Sequence, residues 1–168
     1  MNWVANTASF LEILLLLYVA VSDIATRLIR NEICLVLALL GIVSQFASPI
    51  QIAESLIAAT VLLLLLLVLY QRGGVGGGDV KLIVALAIGL PFMGVIHLLT
   101  ITTRAGGALA LAHLMMRFLP YPKLAPAGSS LVRRVYAVER WRNLRRAPLP
   151  YGVAIACGGI SAVLNHGL

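Results

Sequence analysis

Charge is scarce in this chain. Of its 168 residues only 11% are charged, and six of those are acidic. A soluble domain of this size carries roughly 25% charged residues, so a fold that faces water on all sides is excluded from the start. Long polar stretches are also missing, which leaves no material for a separate soluble domain. We read one domain over residues 1–168. Cysteine appears twice, as Cys34 and Cys157, and in no CxxC pair. That spacing excludes a zinc site, and each cysteine lies in an apolar run where it reads as a small buried hydrophobe. No metal and no cofactor are expected. The basic residues have no aromatic platform or zinc pattern among them, so the net charge of +7 does not indicate nucleic acid. It reads as a topology signal and as attraction to anionic lipids. No basic segment precedes the first apolar run after Met1-Asn2-Trp3-Val4, so that run is expected to be a retained span, with Trp3 at its interface.

Apolar runs dominate what is present, and hydrophobic residues make up 61% of the chain. A membrane helix needs ~20 mostly apolar residues. The first span is predicted over about Ala8 to Asp23, the second over Asn31 to Ala47 and the third over Ile52 to Tyr70. Ser48-Pro49 is a turn signal, and the glycine-rich loop Gly73 to Gly78 ends the third span. Apolar sequence then runs from Val80 to about Leu119, too long for one span and suited to a hairpin. Pro91-Phe92-Met93-Gly94 is the stronger breaker and the favoured turn. Turning near Thr100 to Gly107 would balance the helix lengths better. A polar basic stretch covers about 120–148, and a last span runs from Leu149 to His166.

The predicted fold is therefore all-α and polytopic, with about six transmembrane helices. Twelve of the 13 basic residues, all but Arg104, then fall on one side. By the positive-inside rule that side is cytoplasmic and both termini lie on the other. Residues 129–146 carry Leu131, Val135, Val138 and Trp141 near helical spacing with arginines between. Two readings stand for them: a surface amphipathic helix and a solvated, topology-setting loop.

Acidic residues near membrane spans are costly and so call for a role. Glu12 and Glu54 fall toward the outer halves of spans one and three, where a carboxylate near the interface can reach water. Asp23 ends span one at its cytoplasmic side, opposing the negative end of its helix dipole. It reads either as an interfacial residue closing the span or as a site residue. Asp79 follows three glycines and opens span four, an N-cap position. Yet four glycines within Gly74 to Gly78 exceed what a cap requires. They leave room for another backbone, such as an extended peptide. A phosphate loop is excluded, because no Gly-Lys-Ser/Thr follows.

Span parity gives Asp23 and Asp79 a common depth although 56 residues separate them. Two carboxylates close together in a low dielectric do not both ionise readily, so one keeps a proton. Aspartic proteolysis uses that arrangement: one carboxylate activates water and the other protonates the amide carbonyl.

Gly76-Gly77-Gly78-Asp79-Val80-Lys81 resembles the GxGD-x-K motif of the type IV prepilin peptidases, membrane aspartic proteases. Asp23 with Arg27-Leu28-Ile29-Arg30-Asn31 resembles their D-x(3)-R-x-I-P-N segment, and Pro150-Tyr151-Gly152-Val153-Ala154-Ile155 their P-[YF]-G-x-A-I motif. The three occur in order and cover nearly the whole chain. The resemblance implies catalytic roles for Asp23 and Asp79. It implies site-shaping or substrate-binding roles for Gly76, Gly77, Gly78, Lys81, Asn31, Tyr151 and Gly152. Arg30 stands where the family has proline, which predicts a less rigid turn into span two. The cysteine-rich, zinc-binding insert that accompanies methyltransferase activity in long members is absent. The chain is thus similar to the short, TadV/CpaA-like form serving Flp-type pili, with peptidase activity alone.

The implied partner is a prepilin, a short basic leader before a hydrophobic helix, cut after the leader's glycine at the cytoplasmic face of the bacterial inner membrane. Anionic lipids are a second expected partner, and the oligomeric state is not readable. An ion or proton carrier, or a subunit of a secretion complex, is the competing class. Carrier sites lie near the bilayer midplane, whereas both aspartates are expected at the edge. If the hairpin turns at Pro91, Arg104 falls mid-span and needs a partner such as Glu12 or Glu54. His97 and His113 are expected to pack or hydrogen-bond, and His166 to sit at an interface.

Overall fold

A computed structural model describes residues 2–45, 49–116, 118, 138 and 149–166. Among them are six helices and no strand, as the apolar runs predict. They are α1 (Asn2–Thr26), α2 (Asn31–Ser44), α3 (Pro49–Gln71), α4 (Gly77–Ile88), α5 (Phe92–Met116) and α6 (Tyr151–His166). Apart from Val138, the basic stretch at 120–148 and the amphipathic segment expected at 129–146 lie outside the described residues.

Three helices are long and apolar enough to cross a membrane, over Trp3–Thr26, Ile50–Gln71 and Phe92–Met116. The other three are shorter. The 12 residues of α4 reach only about 18 Å at 1.5 Å per residue. The expected hairpin turn falls at the proline: α4 ends at Ile88 and α5 begins at Phe92, with Leu90 N–H bonded back to the Ala87 carbonyl. Pro91 lacks the N–H that would continue α4.

The chain forms two compact units, Met1–Gly106 with Pro150–Leu168, and Gly107–Leu149. In the second, the described part is chiefly the end of α5, where His113 bonds the Leu109 carbonyl at 3.1 Å.

In the first unit α1 packs against α2 and α6, while α4 packs against α2, α3 and α6. The centre is α4, and Val80, Leu82, Ile83, Ala85, Leu86 and Ala87 are all buried. Such a helix, apolar on every side, suits the interior of a bundle. The far end of α4 meets α2 backbone to backbone. A Cβ on Gly41 would lie 2.5 Å from the Gly89 Cα, so the two glycines set how closely these helices cross. By contrast α3 turns Ile57, Val61, Leu64 and Leu65 outward, each at least 60% exposed. An apolar face of that extent marks contact with lipid or another apolar partner rather than water.

Two side chains depart from the expected positions. Glu12 is not at a wet interface: it is buried, and its Oε1 has no hydrogen-bond partner. The face of α1 that carries it also carries Ala8, Leu16 and Val19 into the core, and helical spacing takes Glu12 with them. Arg104, on α5, is exposed and pairs with neither Glu12 nor Glu54 among the described residues. His97 meets Ser161 at 2.9 Å and Asn165 at 3.1 Å, tying α5 to α6. Cys34 is buried as expected, whereas Cys157 is exposed.

Candidate active site

One end of the first unit gathers the segments singled out in the sequence. Asp23 lies in the last turn of α1 and is 5% exposed. Its Oδ2 accepts a hydrogen bond of 2.9 Å from the Gly152 N–H, 129 residues away. Gly152 is the second residue of α6, and the first N–H groups of a helix have no partner within it. A side chain from α1 thus caps α6. This settles the electrostatic difficulty of Asp23: the negative end of its own dipole is met by the positive end of another. The contact requires glycine. A Cβ at position 152 would fall 2.9 Å from both Cγ and Oδ2 of Asp23 and 3.0 Å from its Cβ.

After Asp23 the chain reverses sharply. Arg27 takes a left-handed φ of 59° and donates its N–H to the Asp23 carbonyl at 3.0 Å. Arg30 caps the start of α2 with φ −74° and ψ 135°. Those are angles a proline would adopt, so the turn keeps a proline-like shape although arginine occupies the position. The Arg30 Nε donates to the Glu32 Oε2 at 3.2 Å, an exposed ion pair.

The second aspartate is held differently, and its position corrects the sequence reading. The N-cap of α4 is Gly76, and Asp79 stands three residues further on, inside the first turn. From there its carboxylate reaches back to accept the Gly76 backbone N–H, half of a capping box. A Cβ on Gly76 would lie 2.9 Å from the Asp79 Oδ2. The helix begins within the glycines because neighbours pack onto them. A Cβ on Gly77 would touch the Tyr70 ring at 3.3 Å, and one on Gly78 the Ile29 side chain at 3.4 Å. Ile29 belongs to the turn between α1 and α2, so this contact draws the glycine loop toward the end of α1. Asp23 and Asp79 are near enough for their charges to act on each other.

Lys81 and Asn31 also meet: the Lys81 Nζ donates to the Asn31 Oδ1 at 3.1 Å, joining α4 to α2. Tyr151 does not point at the aspartates. Its ring covers Gly106 of α5, where a Cβ would lie 2.6 Å from its Cε2, so packing accounts for it. Tyr70 and Ile29 were not foreseen. Each sits beside a motif, but nothing in their residue type indicates contact with the loop. Among the described residues no cluster of His, Cys, Asp or Glu is arranged to hold a metal ion.

Residues 10–111 match the model of the Type IV leader peptidase family. This stretch is more than half the chain and includes Asp23, Asn31, the glycine loop, Asp79 and Lys81. Neither the curated proteins nor the solved structures contain a match.

Proposed function

This chain belongs to the type IV leader peptidase family, and from that premise we propose that it is an aspartic endopeptidase of the cytoplasmic membrane. Asp23 and Asp79 are its catalytic pair, and its substrate is a prepilin, of the Flp type. The protein is a protease and a membrane protein by family and by its apolar helices. The observation that carries the finer reading is the shared setting of two carboxylates. Each is anchored by a backbone N–H at a helix start, and the two lie within range of each other's charge.

In this mechanism the pair carries a single proton. The ionised carboxylate takes a proton from water as the water oxygen attacks the scissile carbonyl carbon. The protonated carboxyl gives its proton to the carbonyl oxygen. Collapse of the tetrahedral intermediate breaks the C–N bond, and a proton passes to the leaving amine. No metal takes part. The glycine loop leaves room for the extended leader, and the basic cytoplasmic side faces lipid headgroups. With two cysteines in the chain and no cysteine-rich insert, peptidase activity stands without methyl transfer.

The test is cleavage of a prepilin by the full chain in liposomes. Asp23→Asn and Asp79→Asn, each correctly inserted, should each lower the rate by at least about 100-fold, the scale of losing general acid–base catalysis. A normal rate from either variant would remove the proposal.

A further inference from the structure

An apolar groove of about 400 Å³ opens directly beside Asp79. Its floor is α4, from Val80 and Lys81 to Ile88, and its walls are α2, from Asn31 to Ala38, and Leu63 of α3. From Lys81 to Ile88 it runs for ~10 Å, two turns of a helix. Its only charged lining residue is Lys81, at the end nearest Asp79. Cys34 and Ala38, one turn apart on α2, and Ala85 on α4 keep the walls low, and small side chains let a second helix approach closely.

We propose that this groove binds the first turns of the substrate's apolar helix, the segment on the carboxyl side of the cut. The inference rests on the peptidase reading and adds a direction to it. The groove starts at the two residues that follow Asp79 in the same helix, so whatever occupies it lies next to the scissile bond. The ammonium of Lys81 repels a basic leader and leaves the apolar side of the cut as the occupant. The leader then lies on the other side of Asp79, along the glycine loop. A larger cleft, about 550 Å³ between α3 and α5, is lined by Glu54 and Phe92. Both residues stand at the ends of their helices remote from the glycine loop, so that cleft does not continue from the site. It serves as an internal control.

The experiment uses the full chain in phosphatidylcholine vesicles and a synthetic peptide. The peptide has a short basic leader ending in glycine, followed by a 20-residue leucine–alanine helix. A benzophenone amino acid is placed either in the first two turns after the cut or in the leader. Trapped on the Asp79→Asn variant, the helix probes should label residues 31–38 and 80–88, and the leader probe should not. Separately, Ala38→Phe should raise KM for the helix-bearing peptide about tenfold, the effect of overfilling a packed contact, with kcat held. A peptide truncated just after the cut should be cleaved as by the unaltered chain.

Labels in the α3–α5 cleft, or an unchanged KM, would overturn the groove while cleavage by the unaltered chain kept the peptidase reading. Labelling of the groove by a photoreactive lipid that saturating peptide does not displace would overturn it as well. No cleavage by the unaltered chain would instead sink the function on which the groove depends.

Discussion

Asp23 and Asp79 are held in opposite ways. Asp23 is buried, and its anchor comes from α6, at the other end of the chain. Asp79 is half-buried, and its anchor is Gly76, three residues before it. Asp23 thus depends on tertiary packing, whereas Asp79 depends on a local turn. The surroundings differ in the same sense. A methyl at Gly152 would press on the whole Asp23 side chain, from Cβ to Oδ2, while one at Gly76 would press chiefly on the tip of Asp79. A short side chain clashing along its length has nowhere to go, but a tip can rotate away. A rigid carboxylate is therefore set against a movable one, which suits a pair that must admit a peptide between its members.

The largest effect on this contrast is expected from Gly152→Ala. It should displace Asp23 or part α1 from α6, at about 1–3 kcal/mol for overpacking, with cleavage down at least about tenfold. Cleavage rate and thermal stability of the inserted protein, measured together, check this. Gly76→Ala is the matched change at the movable side. It should lower cleavage by less than about tenfold, with stability shifted by under about 1 kcal/mol, the cost of a weakened cap. A larger loss at Gly76 than at Gly152 would reverse the contrast.

Asn31→Ala removes the exposed bond between Lys81 and α2. It should change stability by about 0.5–1.5 kcal/mol at most, well below the effect of Gly152→Ala. Arg30→Pro should matter least. The backbone there already has proline-like angles, so stiffening the unfolded chain by about 0.4–1 kcal/mol offsets an exposed ion pair worth about 0–1 kcal/mol. Equal melting temperatures, within a few degrees, are expected; a drop of ten degrees would show that the turn needs arginine.

The same contrast explains what was legible in the sequence. Helix number and order followed from runs of apolar residues and from breakers such as Pro91, because both act locally. The region of Asp79 was legible for that reason, though not its register. Glycine favours no helix start, and α4 begins at Gly77 because Tyr70 and Ile29 pack there. The setting of Asp23 was not legible from its own neighbours. On the sequence it is a carboxylate at the wrong end of a dipole, and only the arrival of α6 makes it stable there. Gly152 entered through a motif resemblance, with no physical reason attached; the reason is its N–H and its missing Cβ. Glu12 was misplaced because depth along a helix does not say which side faces the core.

The central claim is that Asp23 and Asp79 act as one unit despite these different settings. The most direct measurement is prepilin cleavage by the full chain carrying Asp23→Asn, Asp79→Asn and both together. Residues that share one catalytic step are not additive. The double variant should therefore cleave no more slowly than the slower single one, and both singles should be nearly inactive. A single variant that still cleaves, or losses that multiply in the double, would contradict a shared pair.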